Sequence, residues 1–278
     1  MEKEITNKTD AEAIEKGYEF LSLAAKGQDI TVRDDQYGFY WLLDSAKLCR
    51  KKGRFRLIDS GQLDRFQLKE LAAAGADLYT SDKARQDVQE LEFISKAYKK
   101  GRGLIAYFHY GALEGAEESD FLSFSDLMDL GRSGVYLHLS NREKERGLSK
   151  LNQLAYSCRR GQSWLVYYHH GSLEPSLMEL GGNGSWIHVS DRSIQGTEDN
   201  ELLLDVIKSA RSAGTNLVFY VEKGLDVFLL KKIIRAGAVV LFKSSLIDYR
   251  SPFKPLEKEA RKKKLDFRAY YLYTIFIQ

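Results

Sequence analysis

Four stretches of this chain close a β-like run in the same way, and that repetition limits the architecture more than any other feature. Leu57-Ile58-Asp59-Ser60-Gly61, Tyr107-Phe108-His109-Tyr110-Gly111, Tyr167-Tyr168-His169-His170-Gly171 and Val221-Glu222-Lys223-Gly224 each end on glycine. Leu and an acid soon follow, as Leu63-Asp64, Leu113-Glu114, Leu173-Glu174 and Leu225-Asp226. Alternating with these are four more β-like runs that open on Gly75, Gly134, Gly184 and Gly237. Three of them finish in Ser followed by Asp82, Asn141 or Asp191, residue types that suit a strand exit and a helix N-cap.

The gaps carry helical periodicity. Apolar residues recur at three-to-four spacing over 62–74, 83–100, 124–131, 143–160, 173–180, 200–213, 226–236 and 255–264. Eight strands then alternate with eight helices in four βαβα units, which implies a parallel sheet with helices outside it. Over residues 54–264 the pattern resembles the TIM-barrel fold: a (β/α)8 barrel with a fourfold (βα)2 pseudo-repeat, in which closure gives every quarter identical neighbours. Residues 1–53 read as an N-terminal helical extension, with helices over 11–25 and 37–52. Residues 265–278 are too aromatic to stay in water, so this tail is expected to pack on the barrel or across a homo-oligomer interface.

Composition narrows the class. The 278 residues carry 42 Lys and Arg against 39 Asp and Glu, a net charge of +3, which makes a nucleic-acid polyelectrolyte a poor expectation. The basic runs Arg50-Lys51-Lys52-Gly53-Arg54 and Arg261–Lys264 read as solvated helix ends. No apolar stretch approaches the ~20 residues of a membrane span, and the start does not read as a signal peptide. Cys49 and Cys158 read as reduced thiols, so a cytoplasmic protein is expected.

The candidate chemistry lies at the C-terminal strand ends, where such barrels keep their active sites. All five histidines fall there. Strand alternation, with repeat equivalence, is expected to point Asp59, His109, His169 and Glu222 inward as one layer. Two imidazoles and two carboxylates on one axis would suit a divalent metal such as Zn, Mn, Fe or Co, able to polarise a carbonyl or activate water. The metal-free reading is a hydrogen-bonded polar plug, or acid–base work by Glu222 or Asp59 with a histidine. A second inward set is Tyr136, His138 and Ser140 with Trp186, His188 and Ser190. Here His138 and His188 would polarise substrate, and Ser140, Ser190 and Tyr136 would line its site. Lys243, at the end of the last strand, would meet an anionic group. Glu114 and Glu174 form a weaker carboxylate pair, and the acidic loop 115–121 could form a lid.

Two functions follow. The first is a metal-assisted isomerase or hydrolase acting on a small polar or anionic, sugar-like or phosphorylated, substrate. The alternative is a non-catalytic barrel that serves as a binding or assembly scaffold, which the symmetry itself suggests.

Overall fold

The computed structural model describes residues 8–98, 103–113, 121–224, 227–243 and 253–270. The eight expected strands are all present: β2 (Phe55–Ile58), β3 (Asp77–Ser81), β4 (Ile105–His109), β5 (Tyr136–Ser140), β6 (Leu165–Tyr168), β7 (Trp186–Ser190), β8 (Leu217–Val221) and β9 (Val239–Lys243). Two more flank them: β1 (Ile30–Arg33), inside the supposed helical extension, and β10 (Phe267–Tyr270), inside the aromatic tail. All ten form one parallel sheet in strict chain order.

That order corrects the expected closure. Strands β2 and β9 would have to pair to seal an eight-stranded barrel. Instead β2 pairs with β1 and β3, and β9 pairs with β8 and β10, which uses both edges of each. Among the described residues no pairing joins β10 to β1. Residues 271–278 of the tail, Glu114 and most of the acidic loop (115–120) lie outside the described residues.

The helices are α1 (Lys8–Ala25), α2 (Phe39–Cys49), α3 (Arg65–Ala74), α4 (Val88–Ser95), α5 (Phe124–Arg132), α6 (Leu148–Arg160), α7 (Ser176–Gly182), α8 (Thr197–Ser212), α9 (Val227–Ala236) and α10 (Phe253–Lys262). From α2 onward each links two consecutive strands, the connection a parallel sheet requires. Start signals are local. Asp64 caps α3 through the amides of Phe66 and Gln67, with Gln67 closing the capping box, and Ser123 and Asp126 do the same for α5. Helix α3 ends at Gly75, whose φ of +96° is left-handed backbone that only glycine adopts without strain.

Burial separates the two faces of the sheet. Helix residues such as Leu71, Leu130, Leu154, Ile207 and Ile233 share one continuous core with strand residues Leu57, Leu78, Tyr107, Leu137, Leu139, Tyr167, Ile187, Val189 and Phe219. Buried residues on the opposite face come from strands alone: Ala106, Phe108, Val166 and Tyr168 in one cluster, Val218 and Tyr220 in another. The helices therefore cover one face, and the other is lined by strand side chains.

Candidate functional site

Register decides which groups share the helix-free face. Phe108 lies opposite His138, Ser140 and His188 lie opposite Tyr168, and Ser190 lies opposite Tyr220. Paired residues of parallel strands project to the same side. The expectation that Tyr136, His138, Ser140, Trp186, His188 and Ser190 share a face is therefore met. For β4 and β6 it fails. Tyr107 and Tyr167 belong to the helix-side core, and alternation carries His109 and His169 with them.

The layer of Asp59, His109, His169 and Glu222 is consequently not formed. Among the described residues no three His, Cys, Asp or Glu side chains gather as a metal-binding set. Each member has its own partner. Asp59 takes a bidentate ion pair from Arg85, at 2.7 and 3.1 Å, and a 2.8 Å hydrogen bond from the Thr80 hydroxyl. Arg85 is itself buried and also reaches Glu90 at 2.6 Å and the Leu63 carbonyl. His109 is fully buried with Nδ1 3.2 Å from Asp82, which also accepts from the Tyr107 hydroxyl at 2.6 Å and the Tyr110 amide at 2.6 Å. His169 Nε2 contacts the Ser172 carbonyl at 2.7 Å. Glu222, one residue past the helix-facing Val221, pairs with Arg192. Burial and the Asp82 charge push the Tyr107 phenol well above its ordinary range.

The repeat surfaces again as a ladder of Asx side chains. The residue just past β1, β3, β5 or β7 holds the loop that follows the next strand. Asp34 accepts from the amides of Ser60, Gln62 and Leu63, and Asp82 from that of Tyr110. Asn141 accepts from the His170 amide at 2.7 Å and donates to its carbonyl at 2.9 Å, and Asp191 accepts from Glu222 and Lys223. Asp82, Asn141 and Asp191 are thus clasps between neighbouring loops as well as strand exits, and Asp34 shows that the extension belongs to the same repeat. Ser140 and Ser190 accept hydrogen bonds from the amides of Arg142 and Arg192, two residues on, which makes them local turn caps.

What remains on the helix-free face is a row of rings across six consecutive strands. Tyr79, Phe108, His138, Tyr168, His188 and Tyr220 follow one another with centroid separations of 6.3, 4.4, 5.8, 4.4 and 5.7 Å. Each imidazole bonds the phenol of the next strand, His138 Nδ1 to Tyr168 at 3.0 Å and His188 Nδ1 to Tyr220 at 2.8 Å. Burial holds both imidazoles down to about 3, helped for His138 by His188. They are neutral at physiological pH. Burial raises the Tyr168 phenol far above its usual value, so it keeps its proton. In the tautomer where the phenol donates to Nδ1, the imidazole proton sits on Nε2, which is then a donor. Tyr136 and Trp186 are partly buried beside this row, and Lys243 falls at the last position of β9. Arg85, Asp34 and the Asx clasps escaped the sequence reading. A buried arginine among strand-end aspartates carries no motif.

No family model and no curated protein matches this sequence. Among solved structures it is similar to a type I 3-dehydroquinate dehydratase from Clostridium difficile (13% identity over 76% of this chain and 93% of that one, TM-score 0.38). A deoxyribose phosphate aldolase from Aeropyrum pernix is similar at 10% identity over 84% and 93%, with a TM-score of 0.32. A phospho-2-dehydro-3-deoxyheptonate aldolase from Thermotoga maritima is similar at 14% identity over 88% and 71%, with a TM-score of 0.35. All three are enzymes by name. At these identities and scores none of the three bears on what this chain does.

Proposed function

We propose that this chain is an enzyme acting on a small polar or anionic substrate that lies against the ring-lined face. In this reading His138 and His188 are neutral hydrogen-bond donors that polarise a substrate carbonyl. The observation that carries it is the pair of imidazole–phenol contacts set within one row of adjacent rings. A neutral imidazole, fixed in orientation by its second nitrogen, can stabilise charge developing on an oxygen without first losing a proton. Rings on both sides offer flat apolar contact to a sugar or planar ligand. Isomerisation at a carbonyl or hydrolysis of an activated bond suits such donors. A reducing compartment fits Cys49 and Cys158, both buried and unpaired, and no helix among the described residues is long and apolar enough to cross a membrane.

The test is a panel of sugar phosphates and 2-oxo acids, followed by Trp186 fluorescence and by turnover. The reading expects saturable quenching and product formation, both lost in His138→Gln and His188→Gln. The second reading, a binding scaffold, is favoured by the internal use of Asp59, His109, His169 and Glu222. It expects quenching without turnover.

A further inference from the structure

At the opposite, N-terminal ends of the strands lies a cleft of about 640 Å³ lined by Lys47, Arg50, Lys51, Arg54, Asp77 and three glycines. The glycines, Gly53, Gly75 and Gly103, sit in three successive helix-to-strand turns ahead of β2, β3 and β4, so no side chain rises from that floor. The cations come from the last turn of α2 and the turn after it.

Basic residues at helix C-termini are ordinary, because they offset the helix dipole. Here the comparison with equivalent turns matters. Arg159 lies over Gly184 and donates to the Asn183 carbonyl, while Arg211 lies over Gly237 and donates to Asn216. Arg50 lies over Gly75 in the same manner, yet its guanidinium has no hydrogen-bond or ion-pair partner among the described residues, nor has the Lys51 amine. Lys47 has only an exposed contact with Asp44 at 3.4 Å. Inside the cleft Asp77 is 4% exposed at its side chain, lies 3.7 Å from Arg54, and has an Oδ2 that makes no hydrogen bond. Donors without a partner at Arg50 and Lys51, around a glycine floor and beside a buried carboxylate oxygen that makes no hydrogen bond, form an incomplete polar set.

We propose that this cleft is a binding site for a small phosphate-bearing anion, separate from the ring-lined face. Arg50 would meet phosphate oxygens as a fork and Lys47 and Lys51 as point charges. Asp77 faces Arg54 and offsets that one cation, which leaves Lys47, Arg50 and Lys51 as the charges that meet the anion. The cleft has the volume of a small-molecule site.

Titration calorimetry of the full chain with inorganic pyrophosphate at low ionic strength tests the proposal. The expected result is saturable one-to-one binding that Arg50→Gln with Lys51→Gln weakens by at least about tenfold. The control is Lys262→Gln with Lys263→Gln, which removes equal charge from exposed positions at the end of α10 and is expected to leave the affinity unchanged. Both pairs are exposed, so the melting temperature should stay put. Absence of saturable binding up to millimolar pyrophosphate, or equal weakening by the two pairs, would overturn the site.

Discussion

The two faces of the sheet use histidine and aspartate in opposite ways. On the helix side the polar groups are spent on one another: Arg85 pairs with Asp59, and His109, the Tyr107 hydroxyl and the Tyr110 amide converge on Asp82. On the ring side His138 and His188 meet only neutral phenols and rings, and are held uncharged. The first arrangement fixes loops. The second leaves polar atoms that no charge among the described residues has claimed, on a face that no described helix covers. A polar cluster at a strand end is thus a site only when its groups are not already spent on the fold.

Breaking the helix-side network should have the largest effect. Arg85→Met leaves the buried Asp59 carboxylate without its counter-ion, held by the Thr80 hydroxyl and the Gly61 amide, and is expected to cost about 3–5 kcal/mol in urea unfolding. Adding Asp59→Leu should recover a good part of that loss, since no buried charge is then left alone. A loss under about 1 kcal/mol for the single variant would mean that the corner is more open to water than its burial implies.

The ring side sharpens the comparison through pH. An unfolded histidine titrates near 6.5, whereas His138 and His188 stay neutral until about 3. Between these values the unfolded chain binds more protons than the folded one, so stability is complete above about 6.5 and falls as pH drops toward 3. Each imidazole adds a slope of at most about 1.4 kcal/mol per pH unit, reduced by the solvent contact both rings keep. His138→Gln or His188→Gln should flatten the acid limb of the melting curve by one share each. An unchanged acid limb in both variants would refute the neutral assignment.

Tyr168→Phe should be the mildest change. It removes the phenol from His138 while keeping the ring between the two imidazoles, so a loss of about 1 kcal/mol is expected. A loss several times larger would indicate that the row acts as one hydrogen-bonded unit.

Much of this was legible in the sequence. Glycine punctuation and helical spacing placed the eight central strands because both signals are local. The outer strands were not legible. Ile30–Arg33 and Phe267–Tyr270 are four residues each, and the pairing that makes them strands comes from β2 and β9. Alternation oriented β5 and β7, where Leu137, Leu139, Ile187 and Val189 mark the core side. It could not orient β4 or β6, whose residues are apolar or aromatic almost throughout and buried at every position. That single ambiguity turned His109 and His169 toward the wrong face and produced the metal layer.

Imidazole nitrogen resonances report most directly whether the ring-lined face is the working one. The ¹⁵N spectrum of histidine-labelled protein, recorded with and without the sugar-phosphate and 2-oxo-acid panel, should show His138 and His188 Nε2 signals moving while those of His109 and His169 stay fixed. Movement of the His109 or His169 signals, with His138 and His188 unmoved, would contradict it.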